Sequence, residues 1–354
     1  QESPTLAITV KALKLKSEGK DIIGLAAGEP DFDTPDFIKN AAIEAIQAGF
    51  TKYTAATGTP SLKKAIVAKL ERENNLTYDI SEVIVGTGGK QCIFNLCLAT
   101  LDHGDEVIIP APYWVSYTDI AELTAAKSIV VSCVIEQEFK MLPSQLEGAI
   151  SKNTKLVLIN SPSNPTGSVY SNEELKELAK VLLKHPNILI GTDDIYEKIN
   201  LNNDPFYNIV MVEPRLKDRT VILSGVSKAY SMTGWRIGYA AGPLSIIKAM
   251  GVLQSQSTSN PTSISQVAAE AALNSDQSCI KPMVDAFKER HQFVVNAFND
   301  IEGIKCIDAK GAFYSFPYAQ EAINKLFADG KLRENNDIAF SEYLLETKGV
   351  AIVP

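Results

Sequence analysis

From about residue 80 to residue 250, apolar runs of four to six residues alternate with segments of helical period, and this alternation constrains the fold more than any other feature. Parallel strands cannot be joined by a tight turn and need a crossover, usually a helix, so the pattern reads as βαβ units around a mostly parallel sheet. The candidate strands are Glu82–Gly86, Glu106–Pro110, Ser128–Val134, Lys155–Asn160, Ile188–Thr192, Thr220–Ser224 and Gly238–Ala241. Several are apolar on both sides of the pleat, as strands buried between two helical layers must be. Between them, Ser171-Asn172-Glu173-Glu174 has the form of a capping box, opening a helix through Lys184 that His185-Pro186 stops. Asp33-Thr34-Pro35 predicts a helix with Pro at its first position, running to Gly49, and Ser61–Glu73 predicts another. The last third changes character: a long amphipathic helix at Asp285–Asp300, then short strands around Ile304–Ile307 and Ala312–Phe316. The expected organisation is an N-terminal segment 1–40 joining the small domain, a large domain 41–284 and a small α+β domain 285–354.

Composition narrows the function. Thirty-four Lys plus Arg against 42 Asp plus Glu leave a net charge of -8, which opposes a broad face for nucleic acid. The longest apolar runs, such as Leu156-Val157-Leu158-Ile159, are strand-length, far below the roughly 20 residues of a membrane span. Cys92, Cys97, Cys133, Cys279 and Cys306 are scattered and form no CxxC pair, so a reduced, cytoplasmic setting is expected. His103, His185 and His291 lack metal-ligand spacing, and no metal is expected. The chain opens at Gln1-Glu2-Ser3-Pro4 without a signal-peptide core and closes within an apolar run at Pro354; the expectation is a chain cut at both ends.

Chemistry concentrates in the loops. In Ser224-Gly225-Val226-Ser227-Lys228, a lysine follows an apolar strand among small residues, where lost solvation lowers an ammonium pKa and frees a nucleophilic amine. Taken alone, a solvated strand end is the ordinary reading of such a lysine. Arg236 offers a bidentate fork for phosphate or a structural ion pair. Gly86-Thr87-Gly88-Gly89-Lys90-Gln91 joins a strand to the helical segment Cys92–Thr100 and could cradle an anion or form a plain turn. A P-loop would need glycine at position 84 and Ser or Thr at 91, and a dinucleotide fingerprint would need glycine at 91; the chain has Ile84 and Gln91. Asn164, Asp193 with Asp194, and Trp114 follow other strands, at the ends where ligands of open α/β sheets gather.

Together these motifs resemble one family. Gly28-Glu29-Pro30-Asp31-Phe32-Asp33-Thr34-Pro35, Lys52-Tyr53-Thr54, Pro112-Tyr113-Trp114-Val115-Ser116-Tyr117, Asn164-Pro165-Thr166-Gly167, Asp193-Asp194-Ile195-Tyr196-Glu197 and Ser227-Lys228 through Trp235-Arg236 are similar, in order, to class I aminotransferases dependent on pyridoxal 5'-phosphate, most closely the bacterial aspartate aminotransferase subgroup Ib, some of whose members transaminate prephenate. The resemblance covers essentially the whole chain. It implies fold type I: an α/β large domain with a mostly parallel seven-stranded sheet between helices, plus a smaller α+β domain. It makes Lys228 the lysine that links to the cofactor and shuttles the proton, and Asp193 the partner of the pyridine nitrogen. Asn164 and Tyr196 match the pair on the phenolic oxygen, and Trp114 the stacking indole. Gly89, Lys90 and Arg236 match the phosphate anchor, and Tyr53 a tyrosine that reaches the other subunit of a homodimer.

For the substrates, an amino acid and a 2-oxo acid, the resemblance assigns Gly28 to the α-carboxylate and Lys90, Ser3 and Thr5 to a distal carboxylate, with Trp114 and Asn164 also lining the site. The family's arginine for the α-carboxylate falls beyond Pro354, which reinforces the expectation of a cut chain. The expected activity is aspartate–2-oxoglutarate transamination, with prephenate as a possible further acceptor. Other readings are another fold-type-I enzyme (an aromatic or kynurenine-type aminotransferase, a C–S lyase or a decarboxylase) and a non-catalytic effector-binding domain, which the absence of a basic helix-turn-helix segment disfavours.

Overall fold

The computed structural model describes residues 4–202 and 204–354. In chain order the strands are β1 (Ile23–Gly24), β2 (Val83–Gly86), β3 (Glu106–Ala111), β4 (Lys127–Ser132), β5 (Thr154–Asn160) and β6 (Leu189–Asp193). They continue with β7 (Thr220–Gly225), β8 (Gly238–Ala241), β9 (Lys305–Cys306), β10 (Pro317–Tyr318) and β11 (Val350–Ala351). The chain divides into two compact units: one of Gln1–Pro30, Phe293–Ile307 and Pro317–Pro354, the other of Asp31–Gln292 with Asp308–Phe316.

The larger unit is built on a seven-stranded sheet of order β2-β8-β7-β6-β5-β3-β4. Strand β8 runs antiparallel to both its neighbours, and the remaining pairs are parallel. Period-2 geometry sends alternate residues to opposite faces. Thus Val83, Val85, Val157, Ile159 and Ile222 enter one apolar core, whereas Ile84, Leu156, Leu158, Val221 and Leu223 enter the other. The first core is closed by residues of helices Asp36–Gln47, Pro60–Asn74, Asn172–Leu183 and Ser263–Asn274, the second by residues of Gly89–Thr100, Ser116–Leu123 and Leu244–Ser257. Each fully buried aliphatic side chain contributes roughly 1.5–3 kcal/mol, and the polar residues of these strands accordingly lie toward their ends. In the smaller unit β1 pairs in parallel with β11, β9 pairs antiparallel with β10, and Ile8, Ala12, Ile22, Leu345 and Ala351 form the core.

The seven strands of the large sheet match the sequence reading to within two residues at either end. Four expectations need correction, the first being that the long helix expected from Asp285 starts at Ile280. The helix of the Asp33-Thr34-Pro35 signal begins at Asp36: Pro35, with ψ 142°, is its N-cap, and Thr34 instead donates its hydroxyl to Ser231 O (2.6 Å) and accepts from Trp235 Nε1 (3.0 Å). The helix expected at Cys92 starts three residues earlier, at Gly89. Ala312–Phe316 is not a strand: Ala312 has φ +59° and gives its N–H to Ile199 O (2.9 Å), and the strand forms at Pro317.

The Ser171 capping box is present, with Ser171 Oγ accepting from Glu174 N (3.2 Å) and Glu174 Oε2 from Ser171 N (2.7 Å). Ser171→Ala is expected to cost about 1 kcal/mol and lower the melting temperature by about 2 °C, while Ser171→Asp leaves it unchanged; differential scanning fluorimetry reads both.

Candidate active site

The sheet register brings the loops together at one edge. Asn160 and Asp193, the last residues of β5 and β6, are paired neighbours, and the β7 end leads directly to Lys228. Because β8 is antiparallel, its first residue, Gly238, stands beside the last residues of β2 and β7, Gly86 and Gly225. Three glycines thus lie in one row across three strands. A Cβ on Gly238 would come within 2.2 Å of Gly89 N and 2.4 Å of Gly88 C, so only glycine lets the start of helix Gly89–Thr100 close onto the sheet.

That helix start is an anion cradle. Gly88 caps it with φ +83°, and the first-turn amides, including those of Gly89 and Lys90, have no acceptor within the helix. Arg236 supplies a fixed charge there: Nη1 donates to Thr233 O (2.8 Å), and Nη2 stands 2.2 Å from where a Cβ of Gly88 would project. A side chain at Gly88 would run into the guanidinium and fill the space beside the amides, so this corner fits a phosphate group.

A second cluster surrounds Asp193. Its carboxylate is buried, with Oδ2 accepting from the Tyr117 hydroxyl (2.6 Å) and Oδ1 from Ile195 N (3.3 Å). Burial pushes its pKa up, while Tyr117, Ile195 and the charge of Lys228 pull it down. Tyr117 is itself fixed by an edge-to-face contact with Trp114 (5.5 Å between centroids), and Lys90 Nζ lies 4.8 Å over the Trp114 ring. On the other flank, the half-buried Lys228 has its Nζ 5.8 Å from the rings of both Tyr196 and Phe313. Tyr196 Oη lies 2.6 Å from Tyr314 Oη and also engages the Asn164 side chain. The Asn164 backbone is held by Asn160 Oδ1 (2.7 Å), whose Nδ2 donates to Asp193 O (2.8 Å).

The structure therefore gathers Asp193, Tyr196, Asn164, Lys228, Trp114 and Lys90 into one neighbourhood and sets Gly88, the residue before Gly89, beside Arg236. Tyr53 is 91% exposed in the same unit. Gly28 belongs to the smaller unit. Ser3 lies outside the described residues, as does the side chain of Thr5 in helix Pro4–Ser17. Sequence reasoning missed Tyr117, Phe313, Tyr314 and the Gly225–Gly238 row. Tyr117 was within reach, three residues after Trp114 at the start of a helix; Tyr314, more than a hundred residues from Tyr196, carried no local signal.

Because the folded pKa of Asp193 is raised, this group favours the folded state fully only below the unfolded value of about 3.9, and the contribution is lost as pH rises through the folded pKa. Asp193→Asn is therefore expected to raise the melting temperature of ligand-free protein at pH 7 and to leave it unchanged near pH 3. A variant that melts lower than wild type at pH 7 contradicts this.

The sequence model of the family "Aminotransferase class I and II" matches residues 20–354. The aspartate/prephenate aminotransferase of Nitrosomonas europaea is 60% identical over 99% of this chain and 89% of its own length. That of Cereibacter sphaeroides is 52% identical over 99% and 88%. Among solved structures, the aspartate aminotransferase of Rhizobium meliloti superposes with a TM-score of 0.94 at 47% identity, over 100% of this chain and 88% of that one. The Thermus thermophilus aspartate aminotransferase with maleate gives 0.92 at 38%, over 100% and 89%. With the sheet, the cradle and the lysine–aspartate pocket in the same chain, the protein belongs to the class I and II aminotransferases and is an enzyme of fold type I.

Proposed function

We propose that this aminotransferase works with pyridoxal 5'-phosphate and moves the amino group of L-aspartate to 2-oxoglutarate, with glutamate or aspartate and prephenate as a further pair. The observation that carries the reading is one neighbourhood joining a half-buried amine, a buried carboxylate and hydroxyl donors, in the same unit as a phosphate-shaped cradle. The relatives named for aspartate and prephenate support the substrate class, and the maleate of the Thermus structure is a dicarboxylate, as aspartate is.

When bound, the cofactor supplies an electron sink for the carbon that loses its proton. The residues of this chain do the rest. The Gly89 and Lys90 amides and the Arg236 guanidinium hold the phosphate end. Asp193 would pair with the pyridine nitrogen and favour a proton on it, the Tyr117 hydroxyl offsetting part of what burial costs its charge. Asn164 and Tyr196 would hold the phenolic oxygen, and the Trp114 indole would hold the ring. Lys228 Nζ takes the proton from the substrate Cα, and the Tyr196 and Phe313 rings stabilise the ammonium it becomes. Lys90 takes the distal carboxylate. The 91% exposed Tyr53 fits a tyrosine that serves a partner subunit in a homodimer, and the scattered cysteines fit the cytoplasm.

Wild-type protein mixed with pyridoxal 5'-phosphate is expected to develop a visible band that L-aspartate converts to the amine form. Lys228→Ala is expected to lose the shifted band and at least a thousandfold in turnover. An identical band and rate in Lys228→Ala would overturn the assignment, and a half-reaction with aromatic amino acids but none with aspartate would overturn the substrate class.

A further inference from the structure

The segment 308–316 belongs to the larger unit although the chain on both sides of it belongs to the smaller, and it delivers Phe313 and Tyr314 to the pocket. We propose that Tyr314 is a positioning residue: its hydroxyl donates to Tyr196 Oη and so turns the proton of Tyr196 into the pocket, toward the acceptor that Asn164 and Lys228 also face. The inference rests on the proposed function and deepens it.

At 2.6 Å the two oxygens share one hydrogen, so one tyrosine donates and the other accepts. If Tyr196 donated to Tyr314, its only proton would be spent outside the pocket. With the opposite polarity, Tyr314 and Tyr196 form a donor chain ending at a ligand oxygen, and each bond strengthens the next. Burial pushes both hydroxyls up, that of Tyr314 to about 12, so both tyrosines keep their protons across the working pH range and the polarity of the bond is set by what else each oxygen faces. The rings pack edge to face, with Tyr196 5.6 Å from Tyr314 and 5.7 Å from Phe313.

The segment is fixed from three directions. Lys310 and Gly311 give their N–H groups to Gly167 O (3.2 and 3.0 Å), in the turn that carries Asn164. Ala312 N bonds Ile199 O (2.9 Å), three residues after Tyr196. His291 bridges the segment, with Nε2 accepting from Ala309 N (2.9 Å) and Nδ1 3.2 Å from Ser315 Oγ. Gly167, at φ +68°, is compelled by this packing: a Cβ there would lie 2.6 Å from Ala309 Cβ. Tyr314 is thus held by the same loops that hold Asn164 and Tyr196. The titratable groups facing the pair are Asp193 at the end of β6, Lys228 after β7, Tyr117 behind Asp193, and His291 with Asp308 (3.3 Å) at the base of the segment. Tyr314→Phe removes one oxygen and leaves all of them in place.

The test is a pH titration of the visible band of the cofactor-loaded protein, whose midpoint reports the proton on the Lys228 nitrogen. A weaker donor at the phenolic oxygen leaves more negative charge beside that nitrogen and raises its proton affinity. Tyr314→Phe is expected to move the midpoint up by about 0.5–1 pH unit, and Tyr196→Phe by more. Adding Tyr314→Phe to Tyr196→Phe is expected to move it no further, since Tyr314 acts only through Tyr196. A visible wild-type band with an unmoved Tyr314→Phe midpoint, or an equal shift in the Tyr196→Phe background, overturns this inference alone. A wild-type protein with no such band overturns the proposed function and this inference with it.

Discussion

The Asp193 carboxylate is a negative charge kept where burial opposes it, and much of the surrounding structure serves to keep it there. Water cannot stabilise the ion at that depth, and the Tyr117 hydroxyl, the Ile195 amide and the nearby Lys228 charge offset part of that cost, burial still leaving the pKa raised. Each of these depends on a different part of the fold. Tyr117 requires the helix Ser116–Leu123 after β3, Ile195 requires the turn after β6, and Lys228 requires the turn after β7. The backbone is tied in as well: Asp193 O accepts from Asn160 Nδ2 and Asp194 N donates to Leu223 O, each at 2.8 Å. Strands β5, β6 and β7 must therefore end in register for the carboxylate to have its partners. Parallel strands do this naturally, since their C-terminal ends lie on one edge and their loops converge there.

The positive half of the site obeys a different constraint. Phosphate needs amide groups and a guanidinium within hydrogen-bond reach, and side-chain bulk keeps backbones apart. The row Gly86–Gly238–Gly225 removes that bulk where the helix start meets the sheet. Antiparallel β8 is essential to it, because only a reversed strand can place its first residue beside the last residues of two neighbours. Although the chain as a whole carries -8, Arg236, the helix N-terminus and Lys90 give this edge of the sheet a local positive field.

Legibility in the sequence followed the range of the interactions. Strands buried on both faces announce themselves as apolar runs, and the Ser171 cap is a four-residue motif, so both could be read locally. The family motifs named Lys228, Asp193, Tyr196, Asn164 and Trp114 because each sits in a short run next to a strand end. What escaped was set by contacts between distant segments. Nothing near Ala312 announced that Gly167 would hold that stretch out of a sheet, and nothing near Gly238 revealed that Gly89 would press against it. Pro35 shows a local rule with two outcomes: proline suits either the first helical position or the residue before it. The Thr34 hydroxyl, occupied by Ser231 and Trp235, left the cap to the proline carbonyl, which accepts from Ile38 and Lys39.

Behind the site a second buried charge is held, with the balance falling the other way. Lys69 is almost fully buried, yet its pKa is raised: burial works against the ammonium, and the Glu197 carboxylate, the residue after Tyr196, more than compensates. Asn74 bonds both partners, accepting from Lys69 at 2.8 Å and donating to Glu197 at 3.1 Å. A chain of polar contacts then runs through Glu73 to Lys198 (2.8 Å), on to Gln277 (2.7 Å), which accepts from Tyr230 two residues past Lys228. A hydrophobic isostere would fill this volume at comparable or greater stability, so the ion pair is weak as a source of folding energy. Its geometry is more restrictive than packing alone, because every donor and acceptor must be met. The turn carrying Asp193 and Tyr196 and the turn carrying Lys228 are thereby joined through directional bonds, which is what a proton transfer between fixed atoms demands of its scaffold.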